Sequence, residues 1–215
     1  MHNLLKEDLN YCVTRLPKDV YDLLKKEKNK LFLAGGFIRA KIAREDASDI
    51  DIFSTSMQFA EICADKLKKD GDIFVKTDNA FTVCCKGRLS VQFIHKWAFD
   101  EPKDVLPSFD FTVAKAVIWF NGLRWDSLCD ERFYPDLAAK RLIYTSPKRI
   151  EEVGGSMLRV LKFYQRGYRI PLEDLGFVIA RLVSGISSRD NQTEEDVALI
   201  LSGLLREVDP LTEPN

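Results

Sequence analysis

Residues 31–53 read Leu-Phe-Leu-Ala-Gly-Gly-Phe-Ile-Arg-Ala-Lys-Ile-Ala-Arg-Glu-Asp-Ala-Ser-Asp-Ile-Asp-Ile-Phe, an apolar run stopped by two glycines and followed by a second run carrying two carboxylates. Leu31 to Ala34 read as a buried strand that ends at Gly35-Gly36. Phe37, Ile38 and Ile42, with Lys41, recur at three and four residues, which predicts a short helix with the glycines at its N-terminal end. Unpaired N–H groups and the positive end of the helix dipole lie there, and glycine lets an anion approach closely. Arg39 adds a full positive charge. In the second run side chains alternate, so Asp49, Asp51 and Phe53 share one face of a strand and Ile50 and Ile52 the other.

Two carboxylates about 6–7 Å apart on a strand repel by roughly 2–3 kcal/mol at an effective dielectric near 20. A divalent cation reverses that sign. Magnesium takes one or two carboxylates together with substrate phosphates and water, which suits this pattern. A glycine pair or an Asp-x-Asp alone is commonly structural. Their order on strand, helix and strand points to a triphosphate held over metal ions.

The rest of the composition narrows the chemistry. At 215 residues, 46% hydrophobic and 30% charged, the chain can bury a sizeable core, and it contains no apolar run of the ~20 residues that span a bilayer. The first residues, Met-His-Asn-Leu-Leu-Lys-Glu-Asp, lack a secretory pattern, so a cytoplasmic location without membrane partners is expected. Cys12, Cys63, Cys84, Cys85 and Cys129 form no C-x-x-C and are odd in number, and they read as reduced thiols. Only His2 and His95 are present, which disfavours a zinc cluster or a Ser-His-Asp set. Net charge is −1, yet residues 140–169 are basic through Lys140, Arg141, Lys148, Arg149, Arg159, Lys162, Arg166 and Arg169. That segment is either a track for an RNA acceptor or a solvated helix face.

Periodicity predicts helices over 3–15 and 17–28, with Pro17 at a starting position and Val20, Leu23 and Leu24 as the apolar stripe. A further helix carries Phe59, Ile62, Cys63 and Leu67, and strands follow near 73–77, 80–85, 89–95 and 113–120. Asn121-Gly122 marks a hairpin. Ser146-Pro147 opens a helix running to Gly167, weakened at Gly154-Gly155. Leu172 to Val183 and Thr193 to Arg206 read as two more helices around a loop at 188–192, and residues 209–215 as a frayed end. Two regions result: an α+β head with N-terminal helices, 1–145, and a helical extension, 146–215.

Gly35-Gly36 followed by Asp49-Ile-Asp51 resembles the head of polymerase-β-type nucleotidyltransferases. Asp110-Phe111-Thr112-Val113-Ala114, Asp136-Leu137 with Lys140-Arg141-Leu142-Ile143, and Leu158-Arg159-Val160-Leu161-Lys162-Phe163 are similar to the head and neck of bacterial-type CCA-adding enzymes and poly(A) polymerases. The likeness covers about residues 30–170. It implies a nucleotidyltransferase-like mixed sheet flanked by helices and followed by a small helical neck. It also implies Asp49 and Asp51 as catalytic ligands of two Mg2+ ions, Gly35, Gly36 and Arg39 as phosphate contacts, and Asp110 with Arg159 as nucleotide contacts.

The chain departs from that pattern at four places. Ser108-Phe109 stand where the family has arginines, Gly155-Ser156 where it has an acidic pair, and Gln92 lies on the strand that carries a third acid in other branches. The sequence also ends soon after the neck-like segment, without the long body and tail that hold a tRNA in full-length members. The implied activity is metal-dependent transfer of an NMP from an NTP to a hydroxyl on RNA, a small molecule or a protein. The departures support an alternative, a non-catalytic nucleotide-binding regulatory module on the same fold.

Overall fold

The structure, a computed structural model, describes residues 1–145, 147, 154–184 and 193–206. Helices α1 (Lys6–Thr14) and α2 (Lys18–Lys26) lead into β1 (Leu31–Ala34), α3 (Gly36–Ala43), β2 (Asp49–Ser54) and α4 (Met57–Leu67). Strands β3 (Ile73–Lys76), β4 (Ala80–Cys84) and β5 (Ser90–Ala98) follow, then the short α5 (Pro102–Val105). The hairpin β6 (Ala116–Phe120) and β7 (Trp125–Cys129) precedes α6 (Phe133–Ala138), and α7 (Gly155–Gln165), α8 (Leu172–Ser184) and α9 (Glu194–Arg206) complete the described elements. The seven strands form one sheet in the order β3-β4-β5-β2-β1-β6-β7, with β2–β5 parallel and the other pairs antiparallel. This is the α+β, nucleotidyltransferase-like architecture that the motif order implies.

Alternation assigns the two faces of the sheet. Leu31, Leu33, Ile50, Ile52, Val91 and Phe93 belong to the main core with the buried residues of α1–α4. Phe32, Ala34, Phe53 and Val117 form a second apolar cluster on the opposite face, where Val105 and Leu106 cover them. Because β1 is apolar on both faces it can occupy a central position, and all four of its residues are buried. On β2 the carboxylates stand on the face of the second cluster.

Several boundaries differ from the periodic reading. Pro17 precedes α2 instead of starting it. The apolar run at 113–120 is divided: Thr112–Ala114 form a 3-10 turn and the strand begins at Ala116. Thr112 is held off the sheet because its Oγ1 donates to Asp136 (2.7 Å) and its N–H to Ile143 O. The hairpin forms with a four-residue connection in which Asn121 Oδ1 accepts from the N–H groups of Leu123 and Arg124 and Gly122 takes φ +103°. The start of the helix expected at Ser146, the loop at 188–192 and the end at 209–215 lie outside the described residues.

Asp136 ties this region together. It is fully buried and accepts bonds from Arg132, Arg141 and Thr112. Burial opposes its charge, but the bonds from Arg132, Thr112 and Arg141 outweigh that cost and hold the carboxyl below its ordinary value. A depressed pKa stabilises the fold above the unfolded value of about 4 and ceases to do so as pH falls through the folded value. Asp136→Ala is therefore expected to cost about 3 kcal/mol at neutral pH and much less near pH 2. Urea denaturation at both pH values checks this, and an equal cost at both would refute the ionic account.

Candidate active site

The antiparallel register of β1 and β2 places Ala34 opposite Asp51, so the glycine turn begins beside the carboxylate pair. Gly35 adopts φ 79° and ψ −131°, a conformation essentially restricted to glycine. A Cβ there would lie 2.8 Å from Phe109 Cε1 and 3.8 Å from Asp51 Oδ2. At Gly36, the first residue of α3, such a Cβ would meet nothing within 4 Å among the described residues outside its chain neighbours and its own helix backbone, so this end of the helix is approachable. The pattern of strand, glycines, helix and Asp-x-Asp thus closes on itself in space.

Across the parallel pairing, Asp51 is level with Gln92 of β5. Gln92 Nε2 makes a long 3.5 Å bond to Asp49 Oδ2, and Ser48 Oγ donates to Asp49 Oδ1 at 3.1 Å. Burial, and then the Asp49 charge, push the Asp51 carboxyl far above the ordinary range, to about 8, against the opposing pull of Arg159. Two carboxylates crowded in this way are a poor arrangement for an apoprotein and a good one for a cation. Among the described residues no three acidic, His or Cys side chains gather as a complete metal cage. Two carboxylates with an open side fit an ion such as magnesium that takes its remaining ligands from phosphate and water.

Asp110 and Arg159 also meet. Asp110 is 4% exposed, and its Oδ2 accepts from Arg159 Nη1 at 2.7 Å and from Ser156 Oγ at 3.0 Å. Thr145 fixes the Asp110 backbone from the other side, its N–H donating to Asp110 O at 2.8 Å. Helix α7 is thereby fastened to the segment that carries Asp110, and Gly155 and Ser156 are buried at its first turn. Ser156 of that first turn makes its contact with Asp110 directly.

Arg39 goes elsewhere. It is 2% exposed, pairs with Glu45 at 2.6 Å and lies over the rings of Phe163 and Tyr168 at 5.0 and 5.9 Å. Its position in α3 turns it toward α7 instead of toward the carboxylates, so the structure brings together Gly35, Gly36, Asp49 and Asp51 beside Arg159 and Asp110, and leaves Arg39 in a buried pair. Part of the basic stretch at 140–169 is similarly occupied: Arg141 bonds Asp136, Lys140 bonds Arg166 O and sits 3.5 Å from Glu45, and Arg159 bonds Asp110. Lys148 and Arg149 lie outside the described residues.

Two neighbours of the site do not follow from its motifs. Phe109 covers Gly35 and packs edge-on against Phe53, 5.8 Å between centroids, which places an aromatic wall beside Asp51. Its signal in the sequence is an aromatic residue just before Asp-Phe-Thr, where the family pattern has an arginine. Lys115 is 9% exposed, and burial lowers its pKa against the attraction of Asp130 and Asp110. A single lysine within the apolar run Val113 to Val117 is the mark it leaves.

The sequence model of a family described as "Gad2: Gabija anti-defense 2 family protein" matches residues 3–140. No curated protein is found to match this chain. Among solved structures, a CCA-adding enzyme in complex with CTP is similar with a TM-score of 0.61 at 22% identity, covering 94% of this chain and 50% of that one. The Thermotoga maritima CCA-adding enzyme complexed with tRNA gives 0.59 at 20% identity, covering 94% and 51%. A tRNA nucleotidyltransferase with a primer tRNA and an incoming ATP analog gives 0.56 at 15%, covering 86% and 60%. The chain spans about half the length of the first two, and at these identities the likeness establishes the fold.

Proposed function

The chain belongs to the Gabija anti-defense 2 family, and we propose that it serves that role as a metal-dependent nucleotidyltransferase moving an NMP from an NTP to a hydroxyl acceptor. The observation that carries this reading is the β1–β2 register, which sets the glycine turn against Asp51 on the face of the sheet opposite the main core. In the transfer, a bond forms between the acceptor oxygen and the α-phosphorus, the bond from that phosphorus to the α–β bridging oxygen breaks, pyrophosphate leaves with the electron pair, and the hydroxyl proton is lost to solvent.

Asp49 and Asp51 hold two magnesium ions in this proposal. Bound there, such ions acidify the acceptor hydroxyl and neutralise charge on the departing pyrophosphate. The Gly35 N–H already donates to Ala116 O at 3.1 Å, so Gly35 shapes the turn and is not the phosphate donor that the motif implies; the amide of Gly36 at the start of α3 binds the triphosphate, as helix N-termini bind anions. Arg159, oriented by Asp110, which Ser156 in turn holds, meets the base or sugar. Arg39 supports α3 from behind and has no phosphate contact. Phe109 excludes water from one side of Asp51. Residues 1–145 act as the catalytic head and 146–215 as a neck and extension. We place the activity in the cytoplasm, where NTP and magnesium are supplied; among the described residues no helix is long and apolar enough to cross a membrane.

The acceptor is RNA, a small molecule or a protein. The solved relatives include complexes with tRNA, which favours trying RNA first. Purified protein incubated with each labelled NTP, magnesium and total cellular RNA, and in parallel with an extract of Gabija-bearing cells, is expected to transfer label and release pyrophosphate together. Loss of both in Asp49→Asn/Asp51→Asn protein identifies the reaction as its own.

Gln92 favours a second reading, a nucleotide-binding regulatory module without turnover, because a neutral amide stands level with Asp51 and bonds Asp49. That reading expects NTP binding with no pyrophosphate. Steady pyrophosphate release with any acceptor would rule it out.

A further inference from the structure

A second concentration of charge lies away from the carboxylate pair. The start of α2, the connection from α4 to β3 and the turn from β4 to β5 border an open surface hollow of about 340 Å³, within the range of about 300–1,000 Å³ usual for ligand sites. Lys18, Lys69, Lys86 and Arg88 line it, against only Asp19 and Asp72. None of these six is a candidate residue of the active site.

Both carboxylates are already engaged. Asp19 Oδ2 is shared between Lys69 Nζ at 3.0 Å and Arg88 Nε at 3.3 Å. Asp72 Oδ2 accepts from the Lys69 N–H at 2.9 Å and from the Cys85 thiol at 3.0 Å. The thiol remains neutral, since burial and then the bond to Asp72 push it up to about 11. Two positive charges are left in excess, and Lys18 and Lys86 are exposed at the rim.

Arg88 supplies the directional feature. Its side chain is 14% exposed, its Nε faces Asp19, and its Nη1 donates to Leu89 O at 2.9 Å. Its Nη2 is buried with no hydrogen-bond partner among the described residues. A buried charged donor left unpaired is costly, and a guanidinium edge flanked by lysines is suited to the oxygens of a phosphate. Gly87, at φ +87°, forms the turn that carries Lys86 and Arg88 to the hollow.

We propose that this hollow is a phosphate-binding site separate from the catalytic one, with Arg88 as the anchor and Lys18 and Lys86 as flanking charges. The phosphate belongs to a free phosphate compound or to a polynucleotide strand, and the two are separated by experiment. The site does not depend on turnover at Asp49 and Asp51.

The test is calorimetric titration without divalent cations, in an Asp51→Asn background that disables the other site, using pyrophosphate in one arm and a short oligoribonucleotide in the other. Binding in at least one arm is expected, with affinity reduced at least tenfold by Arg88→Gln and by the surface double variant Lys18→Ser/Lys86→Ser. The double variant removes no packed side chain, so its loss of binding reports the site and not the fold. Loss confined to pyrophosphate assigns a free phosphate ligand, and loss confined to the oligonucleotide assigns a strand. Binding in neither arm, or binding indifferent to these substitutions, overturns the proposal. Because no catalytic step is measured, failure here leaves the nucleotidyltransferase reading untouched, and failure of that reading leaves this one standing.

Discussion

Asp51→Asn protein is expected to lose nucleotidyl transfer by at least about 10³-fold, the scale on which removing charge stabilisation acts on a rate, while becoming more stable than the wild type. The two effects share one cause. Asp51 stands one strand position beyond Asp49 on the same face, and burial and that neighbour both oppose its charge. Replacing it by a neutral side chain of the same shape removes the cost of a carboxyl whose ionisation the fold opposes, a cost that is absent below the unfolded value of about 4 and grows as pH rises toward about 8. Part of that should return as a higher denaturation midpoint in metal-free buffer. Magnesium should stabilise the wild type and have little effect on the variant, since a ligand that binds the folded state alone stabilises it. Transfer assays and urea denaturation with and without magnesium check the set. A variant that turns over normally would end the mechanistic proposal, and one that is less stable would show that Asp51 is held by bonds instead of strained by charge.

Much of this architecture can be read from local pattern because the faces of the sheet are so differently composed. Leu31 to Ala34 has four consecutive apolar residues and is buried on both sides; Asp49 to Phe53 alternates and has the carboxylates on one side. Gly35-Gly36 punctuates the first, and the helix that follows begins where the punctuation predicts. The order of the strands is not local information. Nothing in Ser90 to Ala98 announces that it lies parallel to β2 and between β2 and β4, because that pairing depends on a crossover through α4 and two intervening strands. The divided run at 113–120 is another long-range effect, since Thr112 is claimed by Asp136, twenty-four residues later.

The candidate site divides along the same line. The proximity of Gly35 to Asp51 follows from short-range order, because an antiparallel return through one helix brings the end of β1 beside the start of β2. Asp110 and Arg159 are forty-nine residues apart, and only the resemblance to a known family suggested that they belong together. For Arg39, neither its place in the helix nor the resemblance gives the contact that forms. Its closeness to the glycines is a statement about backbone, whereas its side chain is captured by Glu45 and by two rings from α7 and the residues just after it. A guanidinium so placed serves packing and orientation between α3 and α7. Phe109 is legible in the sequence only as a departure from the family's arginines, because an aromatic residue in a loop looks like core, and here it is core on one side and a wall of the site on the other.

Gly35→Ala should be the most damaging of the small substitutions in the chain, and comparison with Gly36→Ala separates the causes. At Gly35 the backbone lies at φ +79°, where a Cβ is strained, and that Cβ would stand 2.8 Å from the Phe109 ring. Strain and overpacking together are expected to cost about 2–4 kcal/mol. The ring must also move toward Asp51 or away from Phe53, so NTP affinity should fall by at least about tenfold, which corresponds to about 1.4 kcal/mol. Adding Phe109→Ala removes the clash but not the positive φ, and it should recover only part of the stability lost with Gly35→Ala, judged against Phe109→Ala alone. Gly36 starts a helix and faces open space, so alanine there is expected to leave stability unchanged or raise it by up to about 1 kcal/mol. If the amides at this helix start receive the triphosphate, Gly36→Ala will nonetheless weaken NTP binding, because the methyl group stands where the phosphates approach. Unfolding curves and NTP titrations on the four variants measure both quantities. Full NTP affinity in Gly36→Ala protein would move the triphosphate away from this turn, and a Gly35→Ala protein as stable as the wild type would mean that the turn can relax without its positive φ.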